Sequence, residues 1–375
     1  MQNGLLRPYT GSRIFEGTVG STGISIATIA RARGYDATII MPDDVAEEKV
    51  KALLALGAEV ERVRPASIVD KKQNLARQRA SRFAQEDLAG SSSLTPGSHS
   101  RTLQSTPSSV VVTTTADVDL NHSGWQANED FLTKPRGYFA DQFENKANFD
   151  AHFNGTGPEI WRQTSGRVHA FVSGAGTGGT VAGAGYYLKS VNPDIIVAIA
   201  DPEGSGLYNK VEYGVMYDRR EAEGTRRRHQ VDTVVEGIGI NRLTNNIESA
   251  LSVIDNAFRY DQSPVLAAWA LICLSITDEE AVAMSRYLVK NDGLFLGSSS
   301  ACNLMACVKL VKKWRWKDGQ HIVTILMSKL RHSLRLIVDA ILGTGTIPRN
   351  DDYLRNANIP INLSLVEDLL EPIDD

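Results

Sequence analysis

Two glycine- and hydroxyl-rich runs are the places where this sequence could do chemistry. Ser173–Thr180 reads SGAGTGGT between a β-branched run and an apolar helical one. Where a strand passes into a helix through glycines, successive amides and the positive helix end aim at one point, which suits a phosphate. Gly176, Gly178 and Gly179 let the backbone approach, and Thr177 and Thr180 add hydroxyl donors. The run also satisfies G-x-G-x-x-G at Gly174, Gly176 and Gly179, with Asp201 on the next strand as a ribose partner, so a dinucleotide reading competes. A tight turn that only packs helix on strand is the plainest alternative. Gly17–Gly23 (GTVGSTG) is a second loop of this kind, and its Thr18, Ser21 and Thr22 hydroxyls with amides entering a helix at Ile24 suit a carboxylate. Two anion cradles imply one ligand with a phosphate and another with a carboxylate, more than a single dinucleotide requires. Gly297–Ala301 (GSSSA) reads as a turn with serines capping the next helix.

Other chemistries lack their residues. The seven histidines show no H-E-x-x-H spacing and the carboxylates no repeated ligand pattern, so no metal site is expected. No nucleophile elbow occurs, and no Ser-His-Asp set stands out. Arg226–Arg228 lies in a charged stretch, 219–230, that reads as a solvated loop. The three cysteines, Cys273, Cys302 and Cys307, form no CxxC pair, which argues against a disulfide framework or zinc knuckle and for a reducing compartment.

Two such loops need strands that end at them and helices that begin there. The first hundred residues alternate accordingly: strands Ile14–Glu16, Tyr35–Met41 and Ala58–Val63, helices Ile24–Arg33 and Ala46–Leu56, then a polar helix Val69–Asp87. Ala89–Ser109, rich in Ser, Thr, Pro and Gly, reads as a disordered insert, and the β-branched Val110–Thr115 follows it. A second unit repeats the pattern with strand Val168–Val172, helix Val181–Lys189 and strand Ile195–Asp201. Thr277–Glu280 fits a capping box opening a helix to Lys290. Leu294–Leu296, a helix through Trp314 and His321–Met327 complete the ordered part. The expected division is an α/β domain over 14–165, a phosphate-loop α/β domain over 166–335 with an insert at 260–276, and an irregular tail over 336–375.

At 375 residues the chain has room for two or three domains. Its net charge of −4 argues against a dedicated nucleic-acid or polybasic membrane-surface binder and leaves small soluble ligands as partners. No signal-peptide pattern opens the sequence. The longest apolar run, Pro264–Ile276, is short of the ~18–20 residues needed to span a bilayer and reads as a buried helix or an insertion.

Six segments together resemble cysteine synthase: Glu16–Ala27 (EGTVGSTGISIA), Met41–Val60, Gly155–Trp161 (GTGPEIW), Ser173–Gly183, Val235–Gly239 (VEGIG) and Asp292–Ala301 (DGLFLGSSSA). The resemblance, to the fungal cysteine-synthase-like branch often linked to mitochondria, covers most of Glu16–Ala301 in the right order. It implies the fold-type II, tryptophan synthase β-like architecture with two parallel-sheet α/β domains, the cofactor pyridoxal 5′-phosphate and a homodimer. Its chemistry is β-replacement: an activated serine such as O-acetylserine loses its α-proton and leaving group and takes up sulfide, giving cysteine. Gly176, Thr177, Gly178, Gly179 and Thr180 would hold the cofactor phosphate, Gly237 would line its reactive face, and Ser328 would meet its pyridine nitrogen. Thr18, Gly20 and Thr22 would hold the substrate carboxylate beside Gln142, a substrate-side glutamine. Ser21 stands where many relatives have an Asn that hydrogen-bonds the cofactor.

The resemblance breaks at one point. In the family, the lysine that forms the Schiff base precedes the segment matching Gly17–Gly23, and here no lysine precedes Lys49. Lys49 and Lys51 match a surface helix, so no catalytic residue is assigned. The N-terminal part is expected to be incomplete, as in an N-terminally truncated member. A second expectation follows, a catalytically inactive homologue that binds pyridoxal phosphate and amino acids; a nucleotide-binding oxidoreductase ranks third. Inserts at 89–109, 260–276 and 336–348 read as untranslated sequence carried into the chain. The expected compartment is cytoplasmic or mitochondrial.

Overall fold

A computed structural model describes residues 6–18, 20–43, 45, 47–64, 74–90, 135–218, 231, 233–249, 251, 271–326 and 361–370. The chain divides into two compact units, Met1–Asn145 and Lys146–Asp375.

In the first unit, β1 (Arg13–Gly17), β2 (Asp36–Pro42), β3 (Glu59–Val63) and β4 (Gly137–Phe139) form one sheet in the order β3-β2-β1-β4. All neighbours are parallel, with Phe15 opposite Thr38 on one side and Phe139 on the other. Parallel strands need crossovers, supplied by α1 (Ser21–Ala32), α2 (Glu47–Ala55) and α3 (Leu75–Gly90). Helix α1 turns Gly23, Ala27 and Ala30 inward at helical spacing, and Ala27 and Ala30 join Ile39, Met41 and Leu53 in a core cluster. Phe15, Ile40, Ala76, Ala80 and Phe139 fill the other face.

The second unit opens with α4 (Lys146–Ala151), a π-helical turn at His152–Thr156 and α5 (Gly157–Gln163). Its sheet of β5 (Ala170–Gly174), β6 (Ile196–Pro202), β7 (Leu271–Ile276) and β8 (Ile322–Thr324) runs β7-β6-β5-β8, again all parallel. Helices α6 (Gly179–Val191), α7 (Leu207–Tyr213), α8 (Asp278–Tyr287), α9 (Ser298–Trp314) and α10 (Ser364–Leu370) are among its described elements. Ala170, Val172, Ala198, Ala200, Met284, Cys302 and Met305 lie in its main core. The Thr277 capping box is present: Thr277 Oγ1 accepts from the Glu280 amide at 3.2 Å, and Glu280 returns a carboxylate oxygen to the Thr277 amide at 2.8 Å.

Four expectations change. The division falls at Asn145, not at 165, because α4 and α5 pack on α6 within the second unit. The expected insert at 260–276 ends in a genuine strand, since Leu271–Ile276 pairs with Val197–Pro202; an apolar run without polar alternation fits a buried parallel strand as well as a buried helix. Leu294–Leu296 is no strand. The tail expected to be irregular over 336–375 carries α10, whose Val366 is fully buried against the main core. The first two residues of the expected insert at 89–109 end α3, and the rest of it, with 110–115, 219–230 and 336–348, lies outside the described residues.

Each sheet changes direction once. Strands β2 and β3 extend one side of β1 and β4 the other, while β6 and β7 extend one side of β5 and β8 the other. In open parallel sheets, ligands bind at the strand C-termini where the order reverses. The turns at these two places are Gly17–Gly23 and Gly174–Gly179.

Candidate functional site

In the second unit, β5 ends at Gly174 and α6 begins after Gly178, its N-cap, with no side chain capping the helix. The Gly179 amide donates to Thr177 Oγ1 at 3.4 Å, and the amides after it in the first turn, which have no partner within the helix, face the space beyond the turn. Gly178 has φ +84°, in the left-handed region, and a Cβ there would stand 2.1 Å from Ile247 Cγ1. At Gly176 a Cβ would meet the Gly237 carbonyl oxygen at 2.8 Å, so the segment bearing Gly237 backs directly onto the loop. The Gly239 amide donates to Ala175 O at 2.9 Å and closes that contact. Hydroxyls and amides with no bulk between them make a surface for a phosphate monoester, and the residues fit one.

Side chains that the sequence reading missed fix this loop. Asn148 Nδ2 donates to Thr177 Oγ1 at 2.9 Å, and Thr244 Oγ1 donates to Thr177 O at 2.6 Å. His152 bridges Thr180 Oγ1 (Nε2, 3.1 Å) and Thr156 Oγ1 (Nδ1, 2.9 Å). Burial lowers the His152 pKa, favouring a neutral ring that donates its one N–H to one hydroxyl and accepts from the other. Asn303, fully buried on α9, accepts from the Gly174 amide and donates to Ile325 O, both at 2.8 Å, tying the ends of β5 and β8 together. A helical Asn in an apolar stripe was a signal for this, because a buried amide needs partners on both its ends.

Ser298 does not cap α9; Gly297 is the N-cap without a side-chain bond, and Ser298 Oγ accepts from the Glu236 amide at 3.2 Å. This replaces the expected serine cap and anchors the Val235–Gly239 segment. Ser328 lies outside the described residues. Asp201 is 1% exposed, accepts from the Tyr208 amide at 2.7 Å and has its pKa pushed up to about 7 by burial. A carboxyl so enclosed cannot reach a ribose, which removes the dinucleotide reading's acidic partner.

In the first unit, α1 follows β1 with Gly20 as N-cap and no side-chain cap, so its first-turn amides also face outward. Thr18 is buried and its Oγ1 accepts from the Gly20 amide at 3.2 Å. Gln142 spans the loop: its Nε2 donates to Gly17 O and its Oε1 accepts from Thr22 Oγ1, both at 2.8 Å. Ser21 is exposed at the first helical position. Thr18, Gly20, Ser21, Thr22 and Gln142 are therefore brought together. Beneath them lies Glu16, 1% exposed, which accepts from the Gly17 amide at 3.0 Å and the Gln142 amide at 3.2 Å. Burial, with the nearby Asp141 charge adding to it, raises its pKa to about 8 against the amide bonds that lower it. On α2, the Lys49 side chain passes this loop, its Cδ 3.2 Å from where a Gly20 Cβ would stand.

Among the described residues no cluster of three metal-ligating side chains occurs, and no helix is long and apolar enough to cross a membrane.

A family profile described as "Pyridoxal-phosphate dependent enzyme" matches residues 2–328. The chain is 45% identical to "Cysteine synthase 2" of Schizosaccharomyces pombe across 98% of this chain and 76% of that protein. It is 48% identical to "Cysteine synthase 2" of Emericella nidulans across 95% of this chain and 72% of the relative. A Saccharomyces cerevisiae relative with "mitochondrial cysteine synthase" in its name is 42% identical across 83% of this chain and 64% of its own length. Among solved structures, O-ureido-L-serine synthase superposes with TM-score 0.58 at 20% identity, covering 94% of this chain and 83% of that one. An O-acetylserine dependent cystathionine beta-synthase from Helicobacter pylori gives 0.55 at 24% identity over 87% and 76%; at such identities the likeness concerns the fold. A match over most of the chain, joined to an uncapped glycine turn at the switch point of each sheet, places this chain in the pyridoxal-phosphate dependent enzyme family, fold type II, in the branch of the fungal cysteine synthases.

Proposed function

We propose that this chain serves cysteine formation by β-replacement on an O-acetylserine-like substrate. The Cβ–O bond to the acyl group breaks, a Cβ–S bond to sulfide forms, and the carboxylate leaving group departs with the α-proton transiently removed. The observation that carries the reading is the uncapped start of α6 behind left-handed Gly178, at the switch point of its sheet. Gly176–Thr180 would hold the cofactor phosphate through amides and hydroxyls, with Asn148 and His152 orienting Thr177 and Thr180. Gly237, which has no side chain to fill the space beside the loop, would lie against the cofactor, and Ser21 and Ser328 complete its proposed contacts. Bound pyridoxal phosphate supplies an electron sink for charge developing at the amino acid's α-carbon. Thr18, Gly20 and Thr22 with the first amides of α1 would orient the α-carboxylate, and Gln142 keeps that loop in shape. The further partners on this reading are sulfide and a second copy of the chain, in cytoplasm or mitochondrion.

The second reading is a homologue that binds cofactor and amino acid without turnover; Lys49 lies on α2 with its side chain against Gly20. Among the described residues none is assigned the role of covalent anchor and α-proton base. Pyridoxal phosphate should raise the melting temperature and NAD should not, since a ligand at 100 times its Kd stabilises by about 2.7 kcal/mol. A shift with NAD alone would sink both readings. Borohydride reduction of the cofactor-loaded chain and peptide mass mapping then separates them: a stoichiometric pyridoxyl adduct on one lysine with sulfide-dependent cysteine production selects the catalyst, and neither selects the binder.

A further inference from the structure

Asp141 is one of four non-glycine residues with positive φ among those described (φ +55°), and it immediately precedes Gln142. A left-handed residue next to a binding loop needs something to hold it, because only its surroundings keep the backbone there. Here its carboxylate takes a bond from Arg77 Nη2 at 2.9 Å, with the Asp141 side chain 10% exposed and Arg77 30%. Arg77 in turn lies over the Phe139 ring, 5.5 Å from its centroid, on β4 just before the turn. The Asp141 carbonyl accepts from the amides of Glu144 and Asn145, at 3.2 and 2.9 Å, so a tight turn leaves Asp141 on its far side. The same peptide is caught on its other side, where Glu16 takes the Gln142 amide at 3.2 Å. The Gln142 side chain then reaches both ends of the carboxylate loop, Gly17 O and Thr22 Oγ1.

We propose that Asp141, pinned by Arg77 in its left-handed conformation, is a positioning residue that aims Gln142 across the loop Gly17–Thr22 and so sets the loop's affinity for the amino-acid carboxylate. The inference rests on the proposed carboxylate role of that loop. Without the pin, the peptide before Gln142 relaxes toward the right-handed region and the glutamine no longer spans Gly17 and Thr22. The amides at the start of α1 then lose their fixed direction. Nothing in this chain of contacts involves the phosphate loop of the second unit, so the two ligand classes should respond differently.

The test measures binding of L-serine to the pyridoxal-phosphate-loaded chain, and of inorganic phosphate to the unloaded chain, by calorimetry. In Asp141→Ala and Arg77→Leu, L-serine affinity is expected to fall about 10- to 100-fold, the worth of one or more hydrogen bonds to a charged group. Phosphate affinity should stay at the wild-type value in both. Asp141→Asn keeps an oxygen for Arg77 and a side chain that tolerates the left-handed region, and it should recover most of the affinity. The double variant should bind no worse than either single one, because both remove the same pin. Wild-type L-serine affinity in Arg77→Leu, an Asn variant as weak as Ala, or equal losses for serine and phosphate would overturn the proposal. If Asp141→Ala fails to fold, Arg77→Leu with Asp141→Asn decides alone. A wild-type chain that binds phosphate but no amino acid would instead refute the carboxylate role itself, and this inference with it.

Discussion

Replacing Gly178 by valine attacks the phosphate loop in two ways that can be weighed separately. Its φ of +84° is open to glycine, and an L-residue in the left-handed region costs about 1–2 kcal/mol, more for a β-branched one. The new Cβ would lie 2.1 Å from Ile247 Cγ1 and 3.3 Å from Ile247 Cβ, and Ile247 is itself fully buried, so it has little room to yield. Overpacking of this kind costs about 1–3 kcal/mol, giving a total of about 2–5 kcal/mol. A domain with the usual ~5–15 kcal/mol of stability survives that, so a folded variant should be obtained. The first-turn amides of α6 would turn from their common point, and each charge-assisted bond lost weakens phosphate about 10- to 100-fold. Circular-dichroism melting and calorimetric titration with inorganic phosphate and with pyridoxal phosphate read the two effects. Adding Ile247→Ala removes the 2.1 Å contact but not the positive φ, so melting should recover in part while phosphate affinity stays low. Wild-type melting and wild-type phosphate affinity in Gly178→Val would show that the loop neither needs its glycine nor binds through its amides.

Further expectations concern Glu16 and Asn303. Burial raises the Glu16 pKa from 4.5 to about 8, so the folded chain holds a proton that the unfolded chain releases; the associated stability is greatest below pH 4.5 and is lost as pH rises through about 8. Asp141, whose pKa burial also raises, and Tyr138 face the same charge, while the Gly17 and Gln142 amides oppose the effect. Denaturant melts should show Glu16→Gln losing pH dependence worth on the order of 2 kcal/mol between about pH 6 and pH 8; identical slopes in both proteins would refute a neutral buried Glu16. Asn303→Ala leaves the Gly174 amide and Ile325 carbonyl without their partner and should cost about 2–5 kcal/mol in chemical denaturation. A loss under 1 kcal/mol would mean that water replaces the amide there.

The class of fold and the two loops were legible in the sequence, because the signals are local. Glycines must stand where a helix starts without a cap or a chain turns left-handed, and SGAGTGGT and GTVGSTG announce such turns whatever surrounds them. The Thr277–Glu280 box was legible for the same reason, since all its atoms lie within one helical turn. Tertiary structure decided what depends on distant segments meeting. Leu271–Ile276 reads as helix or insertion until β6 supplies partners for its amides, because an apolar run has no period to declare its state. Asp201 looked available for a ligand, and only packing shows it enclosed. Asn148 and His152 reach Thr177 and Thr180 across a gap of nearly thirty residues, and Asn303 reaches Gly174 across a still longer one. The Arg77–Asp141 pin belongs to the same class, since one of several Arg in a polar helix and an Asp in a turn each read as surface charge. Hydrogen-bond partners of buried polar groups are chosen by the fold, and a sequence records only that such partners must exist.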